Sequence, residues 1–498
     1  MADEVESEGA VPVTATASAP PPPGRWLTKG LKVAIWLLAA IVTFAAVVCF
    51  CLFIWGNDKL KAAQDDARKA GLPLTYAELQ AQVWGGDGKV PDSENAAPVY
   101  EKAFALIPKQ VEGPLRDKLP VVGMVELPDD PRAPMPDGVL DKVRDFVTSQ
   151  QPAIDLLREG AALPRCQFPV QWDGFNTLLP HLAPARQSAR ILVLRTWLDG
   201  EEGRPAGAVA DIEDILALGR ATGEEPSLIS GLVGSAINSI AVYSADRLLA
   251  RTEFAPQDLL KLQGAFAERA AAISFRDNMA GEFVTNQYTF QALMDGRIDL
   301  KHLYPGDGQE EDMWLLGWQG VRLKFATALP LRGLLKDDQA YSARYLTSMV
   351  EDAAHPSPAV LGRALTRRRE VDASQSPHIL SRMLLPALSY ALQQCENTRA
   401  KLRSAAACVA ALRYRKDNGD WPRSLDALVP RYIDAVPADP YTGMPLVYKI
   451  SVNGIAVYSV GANGIDDGAP QLTNPAPKNT NGPAGQSYCD DAGFRIWK

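Results

Sequence analysis

Histidine is the side chain best suited to moving protons near neutral pH. The 498-residue chain has four, His181, His302, His355 and His378, each isolated in sequence. No HExxH pair is present to ligate zinc, no CxxC, no phosphate-cradling GxxxxGK[ST] and no GxSxG nucleophile elbow. Ser235 in "GLVGSAIN" falls within a helical run and reads as a small residue for close packing. His181 in "LLPHLAPARQ" opens a helix and reads as a capping or surface residue rather than a base. The carboxylate pairs Glu201-Glu202 and Glu224-Glu225 stand just before Gly203 and Pro226, where acidic groups favour the N-terminus of the next helix. Acid–base work would instead need them in a shaped pocket. Cys166 and Trp172, in "PRCQFPVQWDGF", form a cluster of large residues between helices. It reads as buried core, with a ligand groove as the alternative.

Among the structural elements the sequence announces, a membrane-length segment comes first. "LKVAIWLLAAIVTFAAVVCFCLFIW", residues 31–55, has no acidic residue and only Lys32 as a charge. About 20 apolar helical residues span a bilayer, so this is one transmembrane helix, with Trp26 and Trp55 placed for the two interfaces. A cleavable signal peptide would have a shorter apolar core and end in small residues. Residues 1–30 form a Pro-rich arm too poor in apolar side chains to fold. Basic residues flank the span on both sides, so the charge rule leaves its orientation open.

Residues 56–137 read as a helical stalk and connector, broken near Gly71-Leu72-Pro73, with Asp92 or Ser93 capping a following helix. Residues 138–380 read as an irregular antiparallel α-helical domain, with a solenoid as one form of it. Helices are expected near 138–162, 183–199, 205–221, 226–251 and 256–273. In the third, Val209, Ile212, Ile215, Leu216 and Gly219 follow the three–four spacing of one buried face. Residues 313–335 are apolar but interrupted by Gly, Pro, Arg and Lys, which suits a buried or membrane-surface helix, with a second span as the alternative. Residues 381–498 read as a small α+β module: a long helix from about 384 to 416, then strand-like "PLVYKI" and "IAVYSV" around an Asn453-Gly454 turn, then "FRIW". The fold class is therefore mainly α. Cys395 and Cys408 should share that long helix about 20 Å apart, too far to bond each other. With Cys166 and Cys489 they leave the disulfide state open.

The strings "RYRKDNGDWPRSLDALV", "VPADPYTGMPLVYK", "YSVGANGIDDG" and "DDAGFRIW" resemble the C-terminal domain of type II secretion major pseudopilins. Joined to the anchor and helical middle, they also resemble a group of bacterial membrane-anchored envelope proteins. The pseudopilin leader and the Glu inside its apolar helix are missing here, so filament assembly does not carry over. What the resemblance implies is a calcium site at Asn463, Asp466, Asp467, Asp490 and Asp491, oxygen donors of the type calcium requires; a plain solvated loop, enlarged and with its Asp-Gly turn free of metal, is the alternative. The resemblance also implies a single pass through the bacterial inner (cytoplasmic) membrane, with the C-terminal domain extracytoplasmic.

With 51 basic and 59 acidic residues the net charge is -8, which argues against nucleic acid as a partner. Arg367-Arg368-Arg369 is diluted by Glu370 and Asp372 and reads as a solvated helix face. The leading expectation is a non-catalytic interaction or scaffold protein with membrane and protein partners. An envelope hydrolase with a site assembled from distant residues, and a component of a secretion or pilus-like machine, are the alternatives. No substrate is identified by the sequence.

Overall fold

A computed structural model of the chain describes residues 25–298, 332–355, 357–373, 378–468 and 491–497. Residues 1–24, His302, most of the 313–335 segment, Cys489 and Asp490 lie outside the described residues. Within them the chain is mainly helical, with an apolar N-terminal helix and a small antiparallel sheet near the C-terminus.

Helix α1, Arg25–Lys69, runs unbroken for 45 residues, so the expected arm already enters helix at Arg25. Its apolar half is mostly bare: Trp36 is 76% exposed and residues 31–48 are exposed throughout, with cover beginning only near Leu52. From Gly56 onward one face is buried, with Ala63 and Ala67 fully enclosed. The cover is α11, Arg332–Ala354. The two helices meet at Gly56 and Gly333, where a Cβ on Gly56 would stand 2.2 Å from the Gly333 carbonyl oxygen. Beside this crossing Lys59 binds Asp337 at 2.9 Å, and His378 binds the other Asp337 oxygen at 2.9 Å. The expected stalk is therefore a docked helix over its second half.

Short helices α2, Tyr76–Trp84, and α3, Ala97–Leu106, follow. The start of α3 is held by Asn95, whose Oδ1 accepts from the Ala97 and Gln167 amides, and not by Asp92 or Ser93. Gln167 is distant in sequence, which is why local capping rules miss it. The expected 138–162 helix is two, α4, Val139–Ser149, and α5, Gln151–Ala161. Pro152 in the first turn of α5 has no N–H to continue α4, which accounts for the break.

Helices α6, Leu182–Glu201, α7, Pro205–Gly223, and α8, Leu228–Arg251, pack pairwise on one another. Loops of three and four residues force neighbours to run antiparallel. The Val209, Ile212, Ile215, Leu216 and Gly219 stripe is buried throughout. Helix α8 is long and apolar enough to cross a membrane by composition, but just over half of its apolar window is buried and it is a core helix. Ser235 lies buried within it. Helices α9, Pro256–Ala272, and α10, Arg276–Met294, complete the middle of the chain. After α11 come α12, Pro358–Ala373, and α13, Ile379–Leu384.

Helix α14, Pro386–Asn418, is the long helix the sequence announces, ended by Gly419 in the left-handed region. It packs on α8 and α9 and on a sheet of β1, Val447–Ser451, β2, Gly454–Ser459, and β3, Ala492–Trp497, all antiparallel in the order β1-β2-β3. Ile455, Val457, Phe494 and Ile496 face the shared core, whereas Ala456 and Tyr458 form a small cluster on the other face, as period-two alternation requires. The hairpin turn centres on Val452-Asn453, one residue earlier than expected, because Gly454 already pairs with Ser451. A Cβ at Gly454 would stand 1.9 Å from the Ile496 oxygen, so its glycine serves the approach of β3 as well as the turn. Asp439 in the "VPADPYTG" stretch is buried and accepts from Ser459 Oγ, the Val460 amide and the Tyr441 amide, pinning that loop to the end of β2.

Candidate functional site

A cleft of about 400 Å³ opens where the connector, α6, α8 and β3 meet. The connector supplies Pro120, Val121, Leu127, Pro128, Asp129 and Pro131. Its backbone is strained: Val121 has φ +63°, and across it the Val122 amide donates to the Pro120 oxygen at 2.6 Å. That is a three-residue turn with a positive central φ, a rare form, and a β-branched residue tolerates it poorly. Facing it, Trp197 of α6 and Tyr243 of α8 meet edge to face at 5.7 Å. Tyr243 is 54% exposed.

Arg247 and Arg251, one turn apart on α8, hold the end of the connector. Arg247 donates to the Ala133 oxygen at 2.7 Å and Arg251 to the Arg132 oxygen at 2.6 Å. Arg251 is neutralised by Glu201, with one contact at 2.9 Å. Arg247 is 5% exposed and pairs with no carboxylate among the described residues. Its guanidinium lies 5.8 Å from the Trp197 ring centre, and its Nε has no hydrogen-bond partner. Burial, with Arg251 beside it, pulls its pKa below the ordinary arginine value. The adjacent Asp246 serves β3 instead, accepting from Arg495 at 3.4 Å and Trp497 Nε1 at 3.2 Å. Burial nonetheless pushes its carboxyl upward.

The residues singled out from sequence are elsewhere. His181 is buried, not superficial: it stacks on Phe168 at 4.1 Å and bonds Glu225 Oε2 at 3.1 Å. Ser230 donates to the same Glu225 oxygen. Both groups thus converge on one carboxylate oxygen, so the hydroxyl donates to Glu225 and not to the imidazole. Asn278 supports this turn from α10, its Nδ2 reaching the carbonyls of Gly223, Glu225 and Ser227 at 3.0, 2.7 and 3.1 Å. Glu201 and Glu202 are ion-paired, and Arg144, then Arg204, hold Glu202 below the usual carboxylate range. The exposed Arg158 of α5 reaches in to bridge two buried carboxylates of α7, Asp211 at 2.7 Å and Asp214 at 3.0 Å. Cys166 is buried core, while Trp172 is half-buried and stacks on Tyr76 at 5.3 Å. Cys166, Cys395 and Cys408 are free and buried, and burial pushes the Cys395 thiol up to about 12, which leaves it unreactive. Arg367 is held by Asp352 at 2.7 Å rather than solvated.

Of the oxygen donors, Asn463, Asp466 and Asp467 share one turn. Asp466 Oδ1 accepts from Tyr458 at 2.7 Å, the Gly468 amide at 2.9 Å and Lys449 Nζ at 3.2 Å. Asn463 donates to Asp467 at 3.1 Å. Asp491 is buried at the foot of β3. The Lys449 ammonium stands where a cation would neutralise Asp466, and no three His, Cys, Asp or Glu side chains converge as a metal site among the described residues.

The cleft residues escaped the sequence reading because they come from four separated segments. A signal was present: Arg247 interrupts an apolar helix four residues before Arg251, a spacing that puts both on one face. Comparison with known proteins finds no matching protein family, no similar curated protein and no similar solved structure.

Proposed function

We propose that this chain is a single-pass protein of the bacterial inner membrane, with its body outside the cytoplasm, that works by binding protein partners and not by catalysis. The observation that carries the reading is α1, whose bare apolar half is continuous with a half docked on α11. A helix of this kind is a membrane segment rigidly joined to a folded body. The burial of Ser230, His181 and Glu225 supports the non-catalytic part, since a nucleophile must be open to its substrate and this hydroxyl is fully enclosed.

Protease treatment of intact spheroplasts tests orientation: degradation of the body is expected, and protection would overturn it. Incubating the detergent-solubilised chain with ester, peptide and glycoside substrates tests the rest. Reproducible turnover lost on heating would restore the hydrolase alternative. The packing of α14 on β1–β3 supports a second reading, participation in a secretion or pilus-like machine through a pseudopilin-like module. Filaments, or defined stoichiometric complexes with such components, are what it requires; the lack of both removes it.

A further inference from the structure

We propose that the cleft bounded by the connector, α6, α8 and β3 binds a small organic monoanion, a carboxylate on an apolar body, with Arg247 receiving the carboxylate. The inference concerns a small-molecule site and goes beyond the anchoring and partner-binding reading.

A buried guanidinium is costly unless an anion accompanies it. Of the nearby carboxylates, Glu201 is committed to Arg251 and Asp246 to Arg495 and Trp497, while Glu126 and Asp129 stand at exposed positions on the cleft wall and form no ion pair with Arg247. Arg247 is left with one neutral carbonyl and the face of Trp197. It also lines the cleft, so an anion entering from solvent reaches it. The cleft volume falls in the range of small-molecule sites, which run from about 300 to 1,000 Å³. Trp197, Tyr243 and the three prolines give an apolar body surfaces to lie on. Glu126 and Asp129 also line the cleft. Their charge disfavours a dianion, which selects a carboxylate over a phosphate monoester. The strained Val121 turn forms part of the same wall, and such strain persists where the surrounding structure holds a site in shape.

The test uses the full chain in detergent, titrated with benzoate, phenyl phosphate and benzylamine and followed by calorimetry and ligand-observed NMR. Benzoate should bind, phenyl phosphate more weakly, and benzylamine at least about tenfold more weakly, since a charge-assisted hydrogen bond is worth a tenfold factor or more. Arg247→Met should lose about tenfold in benzoate affinity while Arg247→Lys retains most of it. Because Arg247 also holds Ala133, an Arg247 variant could fail to fold. Asp129→Asn, at an exposed position, therefore supplies the complementary arm: it should tighten phenyl phosphate more than benzoate. No benzoate binding at about 10 mM, a ligand range of roughly 3 kcal/mol, overturns the proposal. Equal binding of benzylamine, or a folded Arg247→Met that binds benzoate unchanged, does so too.

Discussion

Alanine at Gly56, Gly333 and Gly264 should give opposite signs for one and the same chemical change. At Gly56 the new methyl would sit 2.2 Å from the Gly333 oxygen, and at Gly333 it would sit 2.1 Å from the Leu52 oxygen. Ordinary contact begins near 3.4 Å, and backbone atoms cannot swing aside. The helices must therefore part by more than an ångström, loosening Ala63, Ala67 and the Lys59–Asp337 pair together. Overpacking of this kind costs about 1–3 kcal/mol, against a helix-propensity gain of roughly 0.5–1 kcal/mol for Gly→Ala. The net expectation is a loss of about 1–2 kcal/mol at Gly56 or Gly333. Gly264, within α9, has open space where its Cβ would go, so the same substitution should stabilise by about 0.5–1 kcal/mol. Urea unfolding of the detergent-solubilised chain reads both through the midpoint at constant slope. Midpoints that all move upward would refute the close α1–α11 crossing.

Three further outcomes follow from particular contacts. Asn278→Asp replaces a donor facing three carbonyls with an acceptor and should cost more than Asn278→Ala, itself expected to lose about 1–3 kcal/mol; equal urea midpoints for the two would mean that the amide does not bridge these carbonyls. Burial raises the Glu282 carboxyl from 4.5 to about 7. A raised folded pKa contributes stability that is full below the unfolded value and lost as pH climbs through about 7, so Glu282→Gln should gain on the parent at pH 8 but not at pH 4. Parallel stability–pH curves would show that this carboxyl reaches water freely. Calcium at Asp466 requires Lys449 to yield, so any rise in Tm with calcium should be larger in Lys449→Met and lost in Asp466→Ala. A chelator-insensitive Tm in both parent and Lys449→Met removes calcium from the account.

Helix existence was legible where one face repeats. The α7 stripe and the Leu259, Leu262 and Phe266 stripe of α9 are buried as periodicity requires, and their helix ends fall within a few residues of expectation. Features decided by distant partners were not. Asn95, one residue before the N-cap, holds the start of α3 while Gln167 fixes its side chain, and His181 is buried because Glu225, 44 residues on, accepts its contact. The α4–α5 break was in plain view at Pro152, outweighed by the apolar period on either side. The cleft is the extreme case. Val121, Trp197, Arg247 and Arg495 have no common periodicity, and they meet only because β3 and the connector pack against the same end of α8.

With residues 31–55 in a bilayer, the missing hinge in α1 becomes a mechanical property. A flexible tether would let the body sample a hemisphere of positions above the membrane. A single helix of 45 residues is about 68 Å long at 1.5 Å per residue, and its far half is clamped by α11. It acts as a mast, holding the body at a set height and heading. Spans tilt to match the thickness of the surrounding lipid, so the body should lean with them. Lipid thickness would then choose which of its surfaces meets a partner standing at a given height.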